Sequence, residues 1–195
     1  MKLKTRLAGL ALVAGFGVSA TALAAPPSPE MLSYACAGCH GTNGGSAGLT
    51  MPSLASQSKA AIVDAMKKFK SGDRPSTVMG RLAKGYTDAD FDKMGEFFSK
   101  QKFHPTDQAK LVDAAKAKKG EALEEANCSR CHLDLGKDGK DDTPVMASQW
   151  LPYLKLQAEL YDSGARKMPK DMADKWNKLS KEDREALLHF YASVK

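Results

Sequence analysis

Apolar side chains recur every three or four residues along most of the sequence, and the runs break at short polar stretches rich in glycine, serine and proline. Residues 29–37 carry Met31, Leu32 and Ala35 at helical spacing, with Ser28 placed to act as an N-cap. Residues 41–58 read as a loop by composition. Over 59–70, Ile62, Met66 and Phe69 share one face and Lys67, Lys68 and Lys70 the other, which predicts an amphipathic helix ending at Gly72. A helix over 87–102 opens on a Thr-x-x-Asp start signal and carries Phe91, Met94, Phe97 and Phe98. Phe103-His104-Pro105-Thr106 interrupts the pattern at its proline, after which helices are predicted over 113–127, 149–163 and 180–194. No alternating run is long enough to make a strand, so the fold class is all-α.

All four cysteines fall in two pentapeptides, Cys36-Ala37-Gly38-Cys39-His40 and Cys128-Ser129-Arg130-Cys131-His132. Two thiols three positions apart can each form a thioether to a porphyrin vinyl group while the adjacent imidazole ligates the iron, so each pentapeptide reads as a site of covalent haem attachment. A structural zinc site made from both Cys-x-x-Cys pairs, or a redox-active dithiol, are the competing interpretations. Neither requires a histidine directly after the second cysteine, and here it occurs twice.

Superimposing the pentapeptides sets an offset of 92, from Cys36 to Cys128 and from His40 to His132. The same offset carries Pro52-Ser53-Leu54-Ala55-Ser56-Gln57 onto Pro144-Val145-Met146-Ala147-Ser148-Gln149, Gly72 onto Gly164 and Arg74 onto Arg166. After one inserted residue, Met79 falls on Met172, Thr87 on Ser180, Asp90 on Asp183, Phe97 on Phe190 and Phe98 on Tyr191. Two copies of one helical unit are therefore expected, a first domain over 25–104 and a second over 105–195, each with one haem filling an interior that a chain of that length would struggle to fill alone.

A sixth iron ligand is expected from the repeat: Met79 in the first unit and Met172 in the second, both in polar connections before a last helix. Met168, in Lys167-Met168-Pro169, competes with Met172 but needs a deletion and an insertion where Met172 needs one insertion. Met31, Met66 and Met94 lie on apolar helix faces and read as core filler. His104 and His189 read as solvated histidines, the second because it aligns with Glu96. Pro52 and Pro144 each follow a motif histidine by 12 residues and are placed to offer a backbone carbonyl to the imidazole N–H.

Residues 1–24 have the cations, apolar run and small-residue end of a secretory signal peptide, which implies export to the periplasm; the apolar run is too short to span a membrane. Without Lys2, Lys4 and Arg6 the formal charge falls from +6 to +3, and no nucleic-acid partner is expected. The Asp134–Gly139 stretch starts like a calcium loop but has Val145 where the closing glutamate belongs, and the lysines over 110–119 read as the wet face of a helix.

The tandem layout resembles the bacterial dihaem cytochromes c built from two class I domains. A narrower resemblance, to the cytochrome subunit of flavocytochrome c sulfide dehydrogenase, rests on Ser76-Thr77-Val78-Met79-Gly80-Arg81-Leu82-Ala83-Lys84-Gly85-Tyr86, Asp90-Phe91-Asp92-Lys93-Met94 and Gln149-Trp150-Leu151-Pro152-Tyr153-Leu154. What it implies is an electron-accepting subunit, not catalytic on its own, bound to a flavoprotein that oxidises sulfide and passing electrons to a soluble carrier such as a small cytochrome. No Gly-x-Gly-x-x-Gly follows a strand in this sequence, so the FAD is expected on the partner. A free-standing dihaem electron carrier is the alternative, and a haem peroxidase, which needs an open sixth position, a more distant one.

Overall fold

The computed structural model describes residues 25–139 and 141–195; the signal-peptide expectation for 1–24 lies outside them. The first half contains α1 (Pro29–Tyr34), α2 (Ala37–His40), α3 (Lys59–Ser71), α4 (Met79–Leu82) and α5 (Asp88–Ser99). The second contains α6 (Ala114–Asn127), α7 (Leu151–Asp162), α8 (Lys170–Trp176) and α9 (Lys181–Ser193), with a two-residue hairpin of β1 (His132–Leu133) and β2 (Asp138–Gly139). The helices start where side chains can satisfy free N–H groups. Ser28 accepts from Met31 N, Ser58 from Ala61 N, Asp113 from Ala115 N and Lys116 N, and Ser180 from Asp183 N. Thr87 and Asp90 form a reciprocal capping box at the head of α5.

Two short helices, α4 and α8, stand where polar connections are expected from the sequence. Both are too brief to show a period, and α4 owes its start to Ser76 Oγ, which accepts from Met79 N at 3.0 Å.

Each half has its own core. In the first, Leu32, Ile62, Met66, Phe91, Met94, Phe97 and Phe98 pack together. In the second, Leu151, Leu154, Trp176, Leu188, Phe190 and Tyr191 do so. The repeat extends to individual hydrogen bonds. The carbonyl of Gly44 accepts from Leu54 N (2.7 Å) and Ala55 N (3.1 Å), and that of Gly136 accepts from Met146 N (2.8 Å) and Ala147 N (2.9 Å). Ser56 N donates to Phe98 O at 3.1 Å, and Ser148 N to Tyr191 O at 2.8 Å. Gly44 and Gly136 have φ of +82° and +81°, and a Cβ there would lie 2.9 Å from the Phe98 ring or 2.7 Å from the Tyr191 ring, so glycine is required on both counts.

The halves differ at their first helix, which has 6 residues in α1 and 14 in α6. The longer α6 covers α9, crossing it so closely that a Cβ at Gly120 would overlap the Ala186 carbonyl.

The two halves join through the segments that the offset superimposes. Gln149 Nε2 donates to Ser53 O and its Oε1 accepts from Ser53 N, both at 2.9 Å. Gln57 does the same to Val145, again with both bonds at 2.9 Å. Since Gln57 matches Gln149 and Ser53 matches Val145, the four bonds form two copies of one contact, as two similar bodies meeting face to face require. Trp150 Nε1 adds a bond to Ser46 O (2.8 Å), and Arg74 Nη2 adds one to Tyr153 Oη (3.1 Å).

Replacing Gln149 with alanine strands the N–H and C=O of a buried Ser53. This is expected to destabilise the protein by about 1–3 kcal/mol in chemical denaturation, with Gln57→Ala producing a similar loss through Val145.

Candidate haem-attachment sites

His40 closes the single turn of α2 and is buried, and its Nδ1 donates to the Pro52 carbonyl at 2.8 Å. A carbonyl can only accept, so the proton sits on Nδ1 and the Nε2 lone pair is free for a metal. Burial holds the imidazole below its ordinary pKa, and the Pro52 bond works against that shift. In the second half His132 is likewise lowered by burial and pulled up by Pro144. The Pro144 carbonyl faces His132 but does not reach full hydrogen-bond geometry, so His132 Nδ1 is buried without a partner.

None of the four cysteines is paired in a disulfide. Burial raises Cys36 first and the neighbouring Cys39 raises it further; Cys128 is also raised chiefly by burial. Among the described residues no three of His, Cys, Asp and Glu gather into a metal-binding group, so the two Cys-x-x-Cys pairs do not form a zinc site. Each half instead offers one imidazole with a nitrogen free to ligate, two thiols outside any disulfide and an apolar core beside them, a donor set that fits haem c.

Met79 begins α4 and packs against the first core, as does Cys36. In the second half Met172 is half-buried in the first turn of α8, while Met168, just before that helix, packs against the second core.

His104 is exposed, as expected. His189 is not the solvated residue its alignment with Glu96 suggests. It is 4% exposed, and its Nδ1 accepts from Asp113 N at 2.9 Å. The physical reason is the length of α6, which covers a face of α9 that its counterpart α5 leaves open at Glu96. The lysines over 110–119 are partly engaged with the same helix, Lys116 with Glu185 (2.8 Å) and Lys119 with Asp183 (2.6 Å).

The sequence reasoning missed two features of the second site. Glu124 on α6 is buried at 1% exposure with Oε1 lacking a partner, and the buried Tyr191 hydroxyl lies beside the Cys128 thiol without full hydrogen-bond geometry. The offset of 92 places Glu124 on Leu32, so extending the repeat upstream of the motif would have exposed the change.

Two helical halves, each with a Cys-x-x-Cys-His turn against an apolar core, define a dihaem c-type cytochrome. The cytochrome c family profile matches residues 30–113, and that of "Cytochrome C oxidase, cbb3-type, subunit III" matches 115–190. The cytochrome subunit of sulfide dehydrogenase from Chlorobaculum tepidum is 43% identical over 99 residues, covering 47% of this chain and 89% of that protein. The thiosulfate dehydrogenase electron acceptor of Thiomonas intermedia is 29% identical over 170 residues, 82% of this chain and 76% of the relative. Reduced cytochrome c4 from Pseudomonas stutzeri superposes with a TM-score of 0.76 at 25% identity, covering 86% of this chain and 97% of its own. The chain belongs to the cytochrome c family, in the branch represented by the cytochrome subunit of sulfide dehydrogenase. It carries covalently bound haem c, two haems matching the two domains, and its function is electron transfer.

The pKa of His189 is lowered first by burial, then by Lys155 and Lys116, with Glu185 and Asp113 opposing. The unfolded chain therefore takes up this proton before the folded one does, so stability falls as the pH drops below about 6.5. Denaturation midpoints measured between pH 7 and 5 are expected to fall less steeply in His189→Gln than in the parent.

Proposed function

We propose that this chain is the electron-transfer subunit of a periplasmic sulfide-oxidising complex, reached through a cleaved signal peptide, and that it divides into functional units at 25–104 and 105–195. Thr106 and Gln108 support that division, because both bond into the second half, Thr106 Oγ1 to Ser148 O (2.9 Å) and Gln108 Nε2 to Ala192 O (3.1 Å). Cys36 and Cys39 hold the first haem and His40 ligates its iron; Cys128, Cys131 and His132 do the same for the second. Met79 and Met172 supply the sixth ligands, with Met168 the competitor to Met172.

The bound haems supply a one-electron couple at each iron. The chain's own residues orient and enclose them. The Pro52 carbonyl fixes the tautomer and direction of His40, and the thioether sulfur of methionine favours the reduced iron. The apolar cores keep water from both centres. Oxidation of sulfide to sulfur releases two electrons, which two centres on one chain can hold together until a soluble carrier, such as a small cytochrome, removes them. The FAD that first takes those electrons belongs to a partner flavoprotein.

The observation that carries this proposal is the 43% identity to a cytochrome subunit of sulfide dehydrogenase. Isolation of the protein from its native source tests it: a flavoprotein that co-purifies through successive columns is expected, and a lone chain active as a carrier would overturn it. That second outcome is the free-standing dihaem electron carrier.

Met79→Ala is expected to remove about half of the thioether-to-iron absorption at the red end of the oxidised spectrum, and Met172→Ala the other half. Retention of the full band in Met172→Ala together with its loss in Met168→Ala would move the second ligand to Met168.

A further inference from the structure

The two halves share a sequence repeat and its hydrogen bonds, but their haem-attachment regions differ in polarity. In the first half the positions four residues before the first cysteine and on the last helix are Leu32 and Phe98, both buried in the core. Their counterparts in the second half are Glu124 and Tyr191. Both are buried, at 1% and 5% exposure; Glu124 Oε1 has no hydrogen-bond partner, and Tyr191 Oη lies beside the Cys128 thiol without reaching full hydrogen-bond geometry.

These groups lie at the attachment site itself. Cys128 N donates to the Glu124 backbone carbonyl at 2.7 Å, the Glu124 carboxyl acts electrostatically on the Cys128 thiol, and the Tyr191 hydroxyl lies within hydrogen-bonding reach of it. The Tyr191 ring lies 5.8 Å from the His132 ring, centre to centre. Polar atoms of Glu124, Tyr191 and His132 that fall short of full hydrogen-bond geometry thus belong to residues around one attachment site. Buried polar groups without good partners are costly, and a carboxyl and a phenol standing where the matching positions of the first half are Leu32 and Phe98 call for a functional explanation.

We infer that Glu124 and Tyr191 are tuning residues that set the potential of the second haem apart from the first by giving its attachment side a polar surrounding. An oxidised iron carries one more positive charge than a reduced one. A buried carboxyl and phenol solvate that charge, whereas Leu32 and Phe98 cannot. Glu124 and Tyr191 therefore lower the second potential, and the first half, with neither, holds its electron independently of them.

This inference rests on Cys128, Cys131 and His132 holding the second haem. The test is a spectroelectrochemical titration of the complete dihaem chain carrying Glu124→Leu, Tyr191→Phe or both, which install the residues the first half already uses. Haem content measured on the same samples separates the two levels: fewer than two haems per chain in the parent would defeat the attachment assignment itself. With two haems present, one potential is expected to rise in each variant and more in the double variant. At fixed applied potential this shifts the oxidised-to-reduced ratio several-fold, a tenfold change being about 59 mV. The other potential stays in place, and the paramagnetically shifted methyl signals of only one haem move. Glu124→Gln, which keeps a polar group, is expected to shift less than Glu124→Leu. Two unchanged potentials, or two that move together, would overturn the inference. If Glu124→Leu fails to fold, the same outcomes are read from Tyr191→Phe, which removes a single oxygen.

Discussion

The hydrogen bond from His40 Nδ1 to the Pro52 carbonyl is the contact on which the rest of the first half depends. It leaves Nε2 free for iron, and it ties the attachment turn to the segment that meets the other half. One residue beyond Pro52, Ser53 exchanges two bonds with Gln149, and Gln57 exchanges two with Val145. Between them Ser56, at φ +62°, turns its N–H to the end of α5 at Phe98. Six residues therefore orient His40, anchor α5 and fix the spacing of the two halves, so a shift in this segment would move the attachment turn and the contact between the halves together.

The second half uses the same device with a different setting. Ser148, at φ +56°, reaches Tyr191 as Ser56 reaches Phe98, and Gly136 repeats Gly44. The longer α6 buries His189 against α9, and Glu124 and Tyr191 bring polar atoms into the region that Leu32 and Phe98 keep apolar. The two halves thus keep the hydrogen bonds around Gly44 and Gly136 in common while differing at a few buried positions.

Much of this was legible in the sequence because the signals are local. Caps at Ser28 and Thr87 and the helical period of 59–70 appear where expected. Pro52 was found by its spacing from His40. What escaped depended on how one helix covers another. His189 aligns with a surface glutamate, and only the crossing of α6 over α9 at Gly120 buries it. The helices α4 and α8 are too short to carry a period. The segment from Gln149 to Leu154 was noticed for its resemblance to a family, and its physical meaning emerged from the contacts: Gln149, Trp150 and Tyr153 all bond to the first half.

The central claim is that both irons are closed, with a methionine in each sixth position, so that the chain relays electrons while substrate chemistry happens on its partner. Exposing the fully reduced dihaem protein to carbon monoxide tests this most directly, because the gas binds only where a sixth position is open or readily vacated. The account predicts an unchanged Soret spectrum at neutral pH. A carbon monoxide adduct formed in stoichiometric amount at either haem would contradict it.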